Sequence, residues 1–109
     1  MKKIPIVRGM RDILPPESTS IRYIENVFRS IAQLYGYSEV IAPTIEYFEL
    51  FALKSGEEIK ESMYEFKDKG GRHVALRPEL TPSIARMYIE KLQALPKPVR
   101  VFYIANCFR

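Results

Sequence analysis

Met63-Tyr64-Glu65-Phe66-Lys67-Asp68-Lys69-Gly70-Gly71-Arg72-His73-Val74-Ala75-Leu76-Arg77 is the stretch that decides the fold. Two short runs of strand-forming residues flank Asp-Lys-Gly-Gly. The glycines can adopt the positive φ that a tight reversal needs, so the stretch predicts an antiparallel hairpin. In its second strand Val74 and Leu76 project to one face, Ala75 and Arg77 to the other. Tyr64 and Phe66 share one face of the first strand and read as core residues rather than as a platform for stacking bases. Arg77 stays open at this level, with a place in a pocket wall and a place in solvent as equal readings.

Downstream of the hairpin, Thr81 followed by Pro82 reads as N-cap and first helical residue. Ile84, Ala85, Tyr88, Ile89 and Leu92 recur at helical spacing as a buried stripe, and Pro96 stops that helix. Residues 99–105 are almost continuously apolar, the pattern of a central strand covered on both faces. Upstream, residues 47–53 predict a short helix ending near Ser55 and Gly56. Residues 57–61 mix acids and lysine and read as a solvated turn or a partly ordered loop. Residues 37–42 are rich in strand formers and Pro43 closes them, because proline cannot donate to a ladder. Before that strand, Leu14-Pro15-Pro16-Glu17 is a helix entry. Ile21, Ile24, Val27, Phe28, Ile31, Ala32, Leu34 and Tyr35 then form an apolar stripe over about five turns. Gly36 is placed to end that helix in the left-handed conformation. The order helix, strand, helix, hairpin, helix, strand predicts an α+β fold, an antiparallel sheet flanked by helices.

Composition bounds the function classes. The 109 residues suffice for one small domain, and 47% apolar with 28% charged residues is a globular balance. No run reaches the length of a membrane span. The basic start Met1-Lys2-Lys3 resembles the head of a signal peptide, but Arg8, Arg11 and Asp12 break the apolar stretch after it, so a cytoplasmic protein is expected. One cysteine, Cys107, allows no intrachain disulfide, and one histidine, His73, leaves too few ligands for a zinc site. Both fall in separate predicted strands and read as structural. The net charge of +4 is uneven, with six basic and six acidic residues in 1–50 against eleven and seven in 51–109. Such an excess suits a polyanionic partner without singling one out.

Three stretches together resemble the class II aminoacyl-tRNA synthetases, and the histidyl-tRNA synthetase family in particular. Arg8-Gly9-Met10-Arg11-Asp12-Ile13-Leu14-Pro15-Pro16 is similar to the opening of that family. Gly36-Tyr37-Ser38-Glu39-Val40-Ile41-Ala42-Pro43, after the long amphipathic helix, resembles class II motif 1 with its proline. The third runs from Met63-Tyr64-Glu65-Phe66 through Leu76-Arg77-Pro78-Glu79-Leu80-Thr81 to Asn106-Cys107-Phe108-Arg109, and resembles the family's first substrate-binding segment followed by the start of motif 2. The resemblance covers essentially the whole chain. It implies a partial class II catalytic domain, residues 1–109 being a truncated core from motif 1 to the start of motif 2 and inactive by itself. It also implies the reaction: ATP and histidine give histidyl-adenylate and pyrophosphate, and the histidyl group then passes to its tRNA.

By the same resemblance, Arg109 matches the motif 2 arginine, a catalytic residue and the contact to the ATP α-phosphate. A guanidinium suits this because its planar fork matches phosphate oxygens. Glu79 matches the carboxylate that takes the histidine ammonium, with Thr81 beside it. Pro43 is implied at a homodimer contact, and Mg²⁺ accompanies ATP through ligands beyond Arg109. Each residue has a plainer reading. Glu79 could sit in the positive field of the following helix, Thr81 could only cap it, Arg109 could be a frayed end, and Pro43 could merely end a strand. Three rival functions also stand. One is the non-catalytic regulatory paralogue of histidine biosynthesis, which binds histidine as an effector. Another is a dimerisation fragment. The third is a different class II synthetase, whose motif 1 would fit but whose Arg-Pro-Glu-x-Thr context mostly would not.

Overall fold

The computed structural model describes residues 1–53 and 56–109, which form two compact units, Met1–Tyr37 and Ser38–Arg109. The first holds α1, Glu17–Leu34, entered from Pro16 as the proline signal predicts. Arg11 grips Glu17 in the first turn with two hydrogen bonds of 2.9 and 2.7 Å. That pair holds the Glu17 carboxyl below, and the Arg11 guanidinium above, their ordinary values, chiefly through the hydrogen bonds. At the other end Gly36, at φ +82, lets its own N–H reach Gln33 O and that of Tyr37 reach Ala32 O, both at 3.0 Å. These bonds satisfy carbonyls of the last turn, so the helix stops there. No residue of α1 is buried, and Ile24, Phe28, Ile31 and Leu34 all stand exposed along the apolar stripe.

The second unit is built on β4, His73–Leu76, the middle strand of an antiparallel sheet with β2, Ile45–Tyr47, and β3, Glu65–Lys67. Ala75 lies opposite Glu46 on one side and Glu65 on the other. The predicted hairpin is therefore present, and its turn is built as the glycines require. Gly71 sits at φ +81, Gly71 N–H donates to Asp68 O, and the Asp68 carboxylate accepts from the N–H groups of Gly70 and Arg72. The core is Phe51, Met63 and Ala75, with Phe48, Leu50 and Ile59 packed against it. Phe51 comes from α2, Phe48–Ala52, and Ile59 from α3, Glu57–Ser62. Full burial of one such aromatic side chain stabilises by roughly 2–3 kcal/mol.

Antiparallel sheet and flanking helices are as expected, but several local expectations fail. Residues 57–61 are helical, because Ile59 gives the segment one apolar anchor. Tyr64 and Phe66 are exposed, since the core lies on the side of β4 that carries Ala75. Only Ser38–Glu39 (β1) and Val101–Phe102 (β5) of the two outer predicted strands are strand, and they pair in parallel. Residues 99–105 are not covered on both faces, for Tyr103 and Ala105 are exposed. α4, Thr81–Glu90, buries Ser83, not the predicted stripe, with Ile84 half-buried and Ala85, Tyr88 and Ile89 exposed. The predicted end of α2 near Ser55 lies outside the described residues. His73 does lie in a strand, β4, half exposed with its ring stacked on Phe48 at 4.4 Å, whereas Cys107 is an exposed free thiol outside any strand.

Candidate functional site

The C-terminal end of β4 is where the chemistry-bearing residues gather. Arg77 follows the strand directly and is buried, at 7% exposure. Its backbone N–H donates to Thr44 O at 3.0 Å and its carbonyl accepts from Phe108 N–H at 2.9 Å. The side chain extends the same junction. Nε donates to Asn106 O (2.9 Å), Nη2 to Asn106 Oδ1 (3.1 Å), and Nη1 to Ala42 O (3.2 Å) and Pro43 O (3.4 Å). The guanidinium carbon also lies 5.9 Å from the Phe108 ring centre. Of the two readings left open for Arg77, solvation is excluded.

Pro78, fully buried, turns the chain away from the sheet, and half-buried Glu79 stands at the strand-to-helix junction. Among the described residues its carboxylate has no ion pair or hydrogen bond. Thr81 is not the N-cap. Leu80 takes that place, Pro82 is the second helical residue, and no side chain caps α4. The reason is geometric: Leu80 O already accepts the Ile84 N–H at 3.0 Å, so the helix begins one residue earlier than the Thr-Pro signal indicates. Thr81 is exposed instead at the end of an open, largely apolar groove of about 490 Å³, lined by Ile84, Ala85, Tyr88, Ile89 and Tyr103. The Ser83 hydroxyl, on the buried face of the same helix, has no hydrogen-bond partner among the described residues.

α4 is fixed to the sheet by charge. Arg86 meets Glu46 of β2 through Nη2 at 2.8 Å and Nε at 3.2 Å, and reaches Glu90 at 3.3 Å. Glu46 is only 10% exposed in its side chain, and its hydrogen bond is the main cause that raises Arg86 above the ordinary guanidinium value. A pair separated by forty residues and on two different elements has no local signature, so sequence reasoning missed it.

Arg109 is exposed. Glu79 is two residues beyond Arg77 and Arg109 one beyond Phe108, and Arg77 and Phe108 share a backbone hydrogen bond. With about 3.8 Å between successive Cα atoms, the Glu79 and Arg109 Cα atoms are within roughly 18 Å of each other. Two long side chains and a small bound molecule can bridge such a distance. Pro43 is exposed and enters the junction through its carbonyl. Among the described residues no three His, Cys, Asp or Glu converge as a metal site, and no helix is long and apolar enough to cross a membrane.

The sequence profile of the histidyl-tRNA synthetases matches residues 9–109. The chain belongs to the histidyl-tRNA synthetase family. It is 54% identical over all 109 residues to a histidine–tRNA ligase of Saccharolobus islandicus strain M.16.27, of which it spans 26%. Among solved structures it is similar to the apo histidyl-tRNA synthetase of S. aureus, at 41% identity and TM-score 0.81, covering all of this chain and 30% of that one. A second neighbour is described as an ATP phosphoribosyltransferase regulatory subunit/histidyl-tRNA synthetase from Bacillus halodurans C. It is 28% identical with TM-score 0.85, over all of this chain and 29% of that one. Membership of the histidyl-tRNA synthetase family thus rests on the whole chain, the Leu76–Thr81 and Asn106–Arg109 stretches included.

Proposed function

We propose that this chain is the part of a class II histidine–tRNA ligase, motif 1 to the start of motif 2, that supplies two poles of the histidine-activating site. Glu79 receives the histidine ammonium and Arg109 the α-phosphate of ATP, with Thr81 as a hydrogen-bonding neighbour of the amino acid. The observation that carries this is the Phe108–Arg77 backbone hydrogen bond. It ties the stretch holding Arg109 to the stretch holding Glu79, although thirty positions separate them.

The chemistry asked of the two groups differs. A carboxylate without a partner is free to pair with an ammonium, and it sits where α4 begins. A guanidinium beside the α-phosphorus offsets the negative charge that grows on the phosphate oxygens as the histidine carboxylate attacks and pyrophosphate leaves. Mg²⁺ accompanies ATP in this reading, but the described residues offer no carboxylate cluster for it, so no step is assigned to the metal here. The histidyl group then passes to the tRNA, in the cytoplasm. A homodimer built through Pro43 is part of the same proposal, and the exposed apolar stripe of α1 supports it. A monomer at high concentration by sedimentation would refute that part.

The test is histidine-dependent ATP–pyrophosphate exchange. In the full polypeptide, Glu79→Gln raises KM for histidine and Arg109→Gln lowers kcat by about 100-fold or more. In the 109-residue chain alone, exchange stays at background, because Arg109 is open to water and water weakens every electrostatic contact. Exchange unaffected by both substitutions refutes the assignment. The Bacillus halodurans neighbour favours a second reading, a histidine-binding regulatory subunit without catalysis. Histidine binding with no charging of tRNA by the full polypeptide would establish that reading in place of the first.

A further inference from the structure

Arg77 is a buried cation whose four side-chain hydrogen bonds among the described residues all end on uncharged oxygens: Asn106 O, Asn106 Oδ1, Ala42 O and Pro43 O. Burial of a charge without a counterion is costly, and well-directed hydrogen bonds are what offset it. The arrangement has a second feature. Among the described residues, every hydrogen bond that ties residues 103–109 to the rest of the protein goes to Arg77: Phe108 N–H to its carbonyl, and Nε and Nη2 to Asn106. The last backbone bond before them is Val40 N–H to Phe102 O. Tyr103 also borders the α4 groove, but among the described residues the hydrogen bonds of the segment beyond it converge on one residue.

We propose that Arg77 is the positioning residue for Arg109: its planar fork sets the 106–108 segment against residues 42 and 43, and so sets where the Arg109 guanidinium stands. This deepens the histidine-activating reading and rests on it. The fork, not the charge, is what matters. Lysine keeps the charge, but a single ammonium cannot reproduce the spread of Nε, Nη1 and Nη2 over Asn106 on one side and Ala42 and Pro43 on the other. A displacement of about 1 Å at a group that acts in the transition state costs on the order of 100-fold in rate. The loss therefore belongs in kcat. KM for histidine, set by Glu79 on the far side of Pro78, changes little.

The experiment uses the full polypeptide with Arg77→Lys, Arg77→Met and Asn106→Ala. Two things are measured, steady-state ATP–pyrophosphate exchange and hydrogen exchange at the Phe108 amide. Arg77→Lys is expected to lower kcat about 100-fold, to leave KM for histidine within about twofold, and to speed Phe108 exchange at least about tenfold. Arg77→Met should match Arg77→Lys in kcat. Asn106→Ala removes one acceptor on an exposed residue and so tests the idea even if the Arg77 variants fold poorly. It should give a smaller loss in the same direction, and combined with Arg77→Lys it should add almost nothing. Wild-type kcat and wild-type Phe108 protection in Arg77→Lys overturn the proposal, as does full additivity with Asn106→Ala. If the unsubstituted polypeptide shows no histidine-dependent exchange, the activity reading fails, and the Phe108 amide rate alone decides whether Arg77 positions the segment.

Discussion

The two ends of β4 are held in opposite ways. At its start, the turn into His73 is closed chiefly by neighbours: Asp68 accepts from the Gly70 and Arg72 amides and pairs with the Arg72 side chain at 2.7 Å, all within four residues, with Tyr47 of β2 a lesser partner of Arg72. At its end, Arg77 engages partners 29 to 35 residues away. The first arrangement depends mainly on local chain reversal. The second cannot form until three distant segments have met, and it positions two of them. Functional candidates cluster at the second end alone. Chemistry between groups far apart in sequence requires such a junction, whereas a self-contained turn can be exposed and serve only the fold.

That contrast can be broken by substitution. The largest stability effect should come from Arg77→Ala, which strips four hydrogen bonds from buried or half-buried oxygens. A loss of about 3 kcal/mol is expected in denaturant unfolding, since bonds from a charged donor contribute about 1.5–3 kcal/mol each and water recovers part of them. A loss below about 1 kcal/mol would mean that solvent replaces the guanidinium freely and the two ends are energetically alike.

Gly71→Ala probes the local end. Nothing lies within 4 Å of the added methyl group, so the cost is purely conformational, the φ of +81 that alanine resists. About 1 kcal/mol is expected, with ATP–pyrophosphate exchange by the full polypeptide unchanged. A fall in exchange as large as that of Arg77→Lys would erase the distinction between the two ends.

The smallest effect is that of acid. The Arg72 amide, ahead of the Arg72 side chain, holds the Asp68 carboxyl below its ordinary value of 3.8. A depressed folded-state value means that the turn gains stability above the unfolded value and loses it as the pH falls through the folded one. The Gly70 and Arg72 amide resonances should therefore shift together on acidification, with a midpoint below 3.8, while Phe108 stays put. A midpoint at or above the ordinary aspartate value, or a Phe108 resonance that moves in step, would contradict the separation of the two ends.

Legibility followed the same division. α1, its glycine stop, the hairpin and the short helix before it were all readable, because each depends on spacing or on a backbone angle that few residues accept. α3 was missed because one half-buried Ile59 among charged neighbours carries no period. The face of α4 was misassigned because Ile84, Tyr88 and Ile89 are spaced as a core stripe, yet in this chain Ser83 and Leu80 are the buried positions and Arg86 meets Glu46 of β2. The candidate residues Glu79, Thr81, Arg109 and Pro43 came from resemblance to a family, not from any local pattern. The junction that brings their segments together was invisible.

By itself, the order of residues determined which segments are helix, turn and hairpin, and which family the chain resembles. Those properties depend on neighbours within about one or two turns of chain, whose covalent closeness makes their contacts nearly certain. Only the folded chain decided that Arg77 is buried, that Asn106, Ala42 and Pro43 share its guanidinium, and that Glu46 anchors α4. Contacts across thirty or forty residues require loop closure, and which of many possible partners meet is set by how the whole core packs.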